Sequence, residues 1–129
     1  MNLNLNDTHT SPQIHDGIGA ATAKALVEAG LIVVGLARRK DKLDDLAKSL
    51  NGKMGKMYSF RTDVTKENEI LNAFKWIKDT LGPVHIVINS TGIIRNTNLV
   101  DGNIKIWKDI LDTNVLGLCI LTREAHSWQ

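Results

Sequence analysis

From Gly17 onward the apolar positions of the chain switch between two periods. Ile18, Thr22, Ala25, Leu26 and Ala29 fall at helical spacing with Lys24 and Glu28 pointing away, which predicts a small-residue helix able to approach a sheet closely. Gly30 stands where a C-terminal cap belongs. Leu31 to Ala37 then runs almost unbroken in apolar residues, the pattern of a strand buried on both faces as in parallel sheets. Leu43, Leu46, Ala47 and Leu50 mark a second amphipathic helix stopped by Asn51-Gly52, and Met57 to Arg61 predicts a strand. Thr65 is placed to cap a third helix, with Glu67 and Glu69 at the positive end of its dipole and Ile70, Phe74, Ile77 and Leu81 as its buried stripe. Gly82-Pro83 ends it. Val84 to Ile88 predicts another buried strand closing at Asn89, and Ile104, Trp107, Leu111, Val115, Leu118 and Leu121 predict one long helix over about 104–125.

Strands alternating with helices imply an open, doubly wound, Rossmann-like parallel α/β sheet, in which ligands bind beyond the carboxyl ends of the strands. Residues 1–15 break the pattern. They combine Asn, Asp, Thr, Ser, His and Pro12 with few apolar members, so they predict a flexible or poorly packed polar leader before a single domain over residues 16–129. Leu3 and Leu5 alternate with asparagines as in a short edge strand, yet lie too far ahead of Gly17 to feed a tight strand-to-helix turn.

Composition narrows the function classes. The chain has 129 residues, 43% hydrophobic and 23% charged, enough for one globular core. Sixteen basic residues against 14 acidic ones leave a net charge of +2, without the dense basic runs of a nucleic-acid surface. No apolar run approaches the roughly 20 residues of a membrane helix, and no secretory signal pattern opens the chain. Cys119 is the one cysteine; flanked by Leu118 and Ile120 it reads as a small core residue in a reducing compartment, and the cytosol is the expected location. His85 reads as a satisfied core histidine, and the spacing of His9, His15, His85 and His126 offers no metal site.

Candidate chemistry gathers just after each strand. Gly17 and Gly19, with Ile18 between them, allow a tight turn and room for a pyrophosphate at a helix N-terminus, where unpaired N–H groups favour an anion; a plain loop-to-helix turn would use the same glycines. Arg38, with Arg39 beside it, stands about 20 residues beyond, where a carboxylate reads the ribose hydroxyls of NAD and a cation the 2′-phosphate of NADP. Arg39 and Lys40 taken singly also suit a solvated basic strand end. Asp63 suits an Asx turn before Thr65. Asn114 is an amide within an apolar helix face, costly there unless it is hydrogen-bonded.

Four segments in register carry a family resemblance: Gly17-Ile18-Gly19, Asp63-Val64, Asn89-Ser90-Thr91-Gly92 and Asn114-Val115-Leu116-Gly117. They resemble the end of the T-G-x-x-x-G-x-G loop, the adenine-contacting pair, the N-N-A-G segment and the N-x-x-G of classical short-chain dehydrogenases/reductases. Within that family the chain is similar to the NADP-dependent farnesol-dehydrogenase-like group. The resemblance implies NADP as cofactor, an alcohol or carbonyl as substrate, and Asp63 and Val64 at the adenine. It also implies a sheet-stabilising role for Asn89 to Gly92, a helix-kinking and water-holding role for Asn114, and homo-oligomers formed through the helix at 104–125.

The departures are equally specific. Ser90 and Thr91 replace the family's Asn and Ala. The family's proton donor is a Tyr with a Lys four residues later, helped by a Ser, whereas the one tyrosine here is Tyr58, in a predicted strand, and position 62 is Thr62. The family's first strand has the polar leader in its place, with Pro12-Gln13 where Thr-Gly would open the loop, which predicts an incomplete sheet with a gap in its middle. Two readings are open. One is an NADP-dependent oxidoreductase represented by a partial chain, such as a splice variant or incomplete gene model. The other is a chain complete as made and non-catalytic, acting through protein contacts or without a selected role.

Overall fold

The computed structural model describes residues 17–127. The leader expected over residues 1–15, and Asp16, lie outside the described residues. The first helix, α1 (Ile18–Glu28), is followed by β1 (Ile32–Ala37), α2 (Lys40–Ser49), β2 (Lys56–Arg61) and α3 (Glu67–Leu81). The chain then crosses an irregular stretch to α4 (Ile104–Leu111), a π-helical turn at Asp112–Leu116, and α5 (Gly117–Ser127). The strands β1 and β2 are parallel, paired from Ile32 opposite Lys56 to Ala37 opposite Arg61.

Each strand serves two cores, because successive side chains point to opposite faces. Val33, Ala37 and Met57 pack with Ala23 and Val27 of α1 and Leu43 of α2 on one face. Val34 and Leu36 pack with Ile70, Phe74 and Ile77 of α3 and Leu121 of α5 on the other. These are the layers of a doubly wound α/β unit.

The chain enters β1 through a tight helix stop. Gly30 takes φ +92°, its N–H donates to the Val27 carbonyl, and the Leu31 N–H donates to the Leu26 carbonyl. That crossed pair closes the end of α1 and requires a left-handed residue, which glycine supplies without strain. The start of β2 is locked onto the same corner, since the Gly55 N–H donates to the Val27 carbonyl at 2.8 Å.

The structure corrects the sequence expectations in several places. The predicted strand at 84–88 has no regular structure and joins no ladder among the described residues, with a single bridge position at Asn89. Its apolar run suits a strand; a ladder also needs a neighbouring strand, and among the described residues β1 pairs with β2 alone. His85 is accordingly exposed rather than a core histidine.

Helix α1 buries Gly19, Ala20, Ala23 and Val27, whereas Ile18 is 84% exposed and Ala25 and Ala29 face solvent. Alanines on both flanks make its period ambiguous. Thr65 is not the cap of α3; Lys66 holds that position without a side-chain bond, and Thr65 turns back onto Asp63.

The long helix extends over 104–127, but the π turn inserts an extra residue and rotates α5 about the helix axis relative to α4. The buried side of the π turn and α5 is therefore Thr113, Gly117, Leu121, Glu124 and Ala125, and α5 packs on α3 through Leu121 and Ala125. Ile104, Leu111, Val115 and Leu118 are left exposed, and Cys119 lies in solvent instead of the core.

A Cβ on Gly55 would press far inside contact with the Leu31 carbonyl oxygen and sit 2.7 Å from that of Val27. Gly55→Ala should therefore cost about 3 kcal/mol or more in urea unfolding. Gly52→Ala meets open space at φ +82° and should cost about 1 kcal/mol of backbone strain. Equal costs would contradict the close approach at this corner.

Candidate nucleotide site at the carboxyl ends of the strands

The turn after β2 is built on one carboxylate. Asp63 Oδ1 accepts from the Thr65 backbone N–H at 3.0 Å and from the Thr65 hydroxyl at 2.7 Å, the Asx turn foreseen for this residue. Glu69, one turn into α3, fixes the same loop from the other side. Its Oε2 accepts from the Asp63 N–H at 2.8 Å and from Arg61 Nη1 at 3.2 Å. Partial burial pushes the Asp63 carboxyl up, but the two bonds from Thr65, with the Arg38 and Lys66 cations nearby, outweigh it and hold the group below the usual carboxylate range.

Arg38 follows β1 directly and is exposed. Its charge acts on Asp63, so the tips of β1 and β2 share one electrostatic site. Arg39 is half-buried, and its Nε has no hydrogen-bond partner among the described residues. Lys40 is engaged elsewhere, in an ion pair with Asp44 at 2.8 Å one turn into α2. The glycine turn ends in the N-terminus of α1. Gly17 is its extended N-cap and makes no side-chain capping bond. Because α1 ends at the start of β1 and packs back along it, this N-terminus lies toward the carboxyl end of the strand, the end that carries Arg38.

The remaining segments converge on the π turn. Asn114 sits within it, and its amide spans the loop after the 84–89 segment: Oδ1 accepts from the Ile93 N–H at 2.8 Å and Nδ2 donates to the Ile93 carbonyl at 2.9 Å. A Cβ on neighbouring Gly92 would lie 3.6 Å from the same Oδ1. Asn89 Oδ1 accepts from the Thr91 N–H at 3.1 Å, which curls the loop toward the helix. Gly117 packs onto the Val64 backbone, where a Cβ would stand 3.0 Å from the Val64 carbonyl oxygen. Asp63-Val64, Asn89 to Gly92 and Asn114 to Gly117 are thus joined through direct contacts around one helix. Gly17 caps α1 and Ile18 and Gly19 begin it, and that helix packs on β1 and β2 instead.

Sequence reasoning missed two residues here. Glu69 looked like a favourable charge at a helix start, whereas it braces the Asp63 loop. Glu124 is buried, 7% exposed, and pairs with Arg123, which also bridges to Glu67 of α3. Its position within an apolar helix face, directly after Arg123, was the available signal. Tyr58 is half-buried in β2, its ring edge-on to Trp76 at 5.9 Å.

The chain matches the family model described as short chain dehydrogenase over residues 14–127. It is 38% identical over 112 residues to a farnesol dehydrogenase of Aedes aegypti, covering 85% of this chain and 46% of that protein. It is 42% identical over 112 residues to dehydrogenase/reductase SDR family member 11 of Homo sapiens, covering 85% of this chain and 43% of that protein. A variant of actinorhodin polyketide ketoreductase solved with NADPH superposes with a TM-score of 0.79 at 26% identity, over 84% of this chain and 42% of the other. The chain spans less than half the length of each of these proteins.

Two outcomes test the geometry. Asn114→Ala leaves the Ile93 N–H and carbonyl without their side-chain partner in a partly buried loop, and should lower unfolding free energy by about 1–3 kcal/mol; an unchanged urea midpoint would contradict the clamp. Asp63 has its carboxyl pKa depressed on folding, so its contribution is complete above the unfolded value near 4 and is lost as pH falls through the lower folded value. Asp63→Asn should accordingly reduce stability at pH 7 and progressively less below about pH 4. A penalty that grows on acidification would contradict the sign.

Proposed function

This chain belongs to the short-chain dehydrogenase/reductase family, and on that premise we propose that it carries the nucleotide half of an NADP(H)-dependent oxidoreductase interconverting an alcohol and a carbonyl. The observation that carries the NADP reading is Arg38. It stands exposed at the tip of β1, beside an Arg39 whose Nε lacks a partner among the described residues, and no acidic side chain stands between Arg38 and Asp41 to hold ribose hydroxyls instead. Arg38 and Arg39 would receive the 2′-phosphate, Asp63 and Val64 would border the adenine, and Gly17, Ile18 and Gly19 would face the pyrophosphate with the first-turn N–H groups of α1. Asn89 and Gly92 hold the loop beside them, and Asn114 orders it through Ile93. When bound, the nicotinamide supplies the hydride.

Proton transfer is a separate matter. Such a reaction needs an acid matched to the carbonyl oxygen, and Tyr58 is packed on Trp76 in β2 with Thr62, not Lys, four residues on. Residues 1–129 alone are therefore expected not to turn over a carbonyl. The proposal extends to NADP-linked chemistry on a small alcohol or carbonyl in a cytosolic setting, carried out by a longer protein of which residues 1–129 form the nucleotide half.

A second reading, action through protein contacts, is favoured by the exposed row Ile104, Leu111, Val115 and Leu118 along α4, the π turn and α5. A second copy of this chain packed on that row is the partner it names, and light scattering should then give twice the chain mass, reverting to one chain for Leu111→Asp/Val115→Asp. A single-chain mass for the unmodified protein would remove this reading.

Fluorescence titration tests the first. NADPH should bind at least about tenfold more tightly than NADH, a difference of about 1.4 kcal/mol. Arg38→Ala should bring the two near parity, and the same preparation should show no NADPH-dependent carbonyl reduction. Equal affinities in the unmodified chain would overturn the assignment to NADP.

A further inference from the structure

Three cations follow β1 in succession, and each is placed differently. Arg38 is exposed at the strand tip, and Arg39 is half-buried with its Nε unpartnered among the described residues. Lys40 opens α2 and is already engaged. Its Nζ donates to both carboxylate oxygens of Asp44, one turn on, at 2.8 and 2.9 Å, and to the Ser59 hydroxyl oxygen at 3.5 Å. The Ser59 hydroxyl donates in turn to Asp44 Oδ1. The three side chains close a triangle between the start of α2 and the middle of β2.

Helix stability does not account for Lys40. At the first helical position its charge meets the positive end of the helix dipole, and a cation placed ahead of an anion is the weaker order for a pair four residues apart. Ser59 is what makes the pair hold. A hydroxyl from the neighbouring strand fixes the Asp44 carboxylate, so the ammonium meets a partner that is already oriented. The bond from Lys40, and after it the bond from Ser59, keep the Asp44 carboxyl below the usual carboxylate range. The Lys40 and Asp44 side chains remain 52% and 37% exposed, so the hold is reversible. Lys40 is also close to the phosphate-facing arginines along the chain: its Cα is at most about 7 Å from that of Arg38, and its charge rides on a flexible four-carbon stem.

We propose that Asp44, anchored by Ser59, is a specificity-determining residue of the nucleotide site: it engages Lys40 and keeps this third cation from a 2′-phosphate, setting the preference for NADPH over NADH below what Arg38, Arg39 and Lys40 together would give. The inference rests on the assignment of Arg38 and Arg39 to that phosphate. Its signature is a gain. Removing a contact that only supports the fold weakens binding or leaves it unchanged, whereas removing the Asp44 charge frees Lys40 and strengthens binding of the phosphorylated nucleotide alone.

Fluorescence titration of the full 129-residue chain with NADPH and with NADH tests this. Asp44→Asn keeps the size of the side chain and an oxygen for the Ser59 hydroxyl but removes the charge. It should tighten NADPH by about threefold and leave NADH within about 1.5-fold. Asp44→Ala, which also removes the acceptor for the Lys40 ammonium, should tighten NADPH at least as much. Lys40→Ala alone should leave NADPH within about 1.5-fold, and Asp44→Asn/Lys40→Ala should return it to the affinity of the unmodified chain. A gain that survives in the double variant would come from the lost Asp44 charge itself and would overturn the proposal. Unchanged NADPH affinity in both Asp44 variants, or equal tightening of both nucleotides, would overturn it too. Arg38→Ala separates the two assignments. Loss of the NADPH preference in Arg38→Ala, with no effect of the Asp44 variants, removes the role of Asp44 alone; a preference that survives Arg38→Ala, or no saturable NADPH binding by the unmodified chain, removes the phosphate assignment and this inference with it.

Discussion

The parallel ladder between β1 and β2 is the constraint on which the other contacts depend. It is the one regular backbone pairing among the described residues, and both cores are hung on it through alternate side chains. Because α1, α2 and α3 each connect to an end of this ladder, its carboxyl end collects Arg38, Asp63 and the start of α3 in one place. Parallel strands demand crossover helices, and crossovers return the chain to the same end each time, so residues distant in sequence meet there. That geometry makes Arg38 and Asp63 electrostatic neighbours although a whole helix and strand separate them in sequence.

A second organising element is the π turn. It gives Asn114 a position from which one amide satisfies both the N–H and the carbonyl of Ile93, and it brings Gly117 onto the Val64 backbone. The same insertion rotates α5 relative to α4, so α5 packs small residues on α3 while the apolar row begun at Ile104 turns outward. One local irregularity thus couples the ordering of the loop after 84–89 to the creation of an exposed apolar face.

Much of this was legible in the sequence where one residue type answers a local demand. Gly30 as a helix stop, the stripe of α3, the Asx turn at Asp63 and most of the apolar run over Leu31 to Ala37 come from short-range chemistry, although Leu31 and Ile32 of that run are exposed and only Val33 to Ala37 are buried. The phase of α1 was not legible, since Gly19, Ala20, Ala23, Ala25 and Ala29 offer small residues on both sides and the choice is made by the surface the helix packs against. The state of 84–88 was not legible either. A run such as Val-His-Ile-Val-Ile suits extension, but pairing is a property of two segments, and among the described residues no second segment forms a ladder with it. Cys119 and Leu118 were misplaced for a third reason, because a π turn leaves no mark in hydrophobic period until it has already shifted it.

The tips of β1 and β2, with the start of α1, are proposed to form a nucleotide site selective for a 2′-phosphate, and every functional assignment made for this chain rests on that site. Amide chemical shifts of the labelled chain, followed by NMR as NADPH is added, test it most directly. The account predicts that saturable shifts concentrate at Gly17–Gly19, Arg38, Arg39, Asp63 and Val64, with little change along α2 or the exposed row of α4. Shifts confined to the segment 84–88, or spread without a focus, would contradict it.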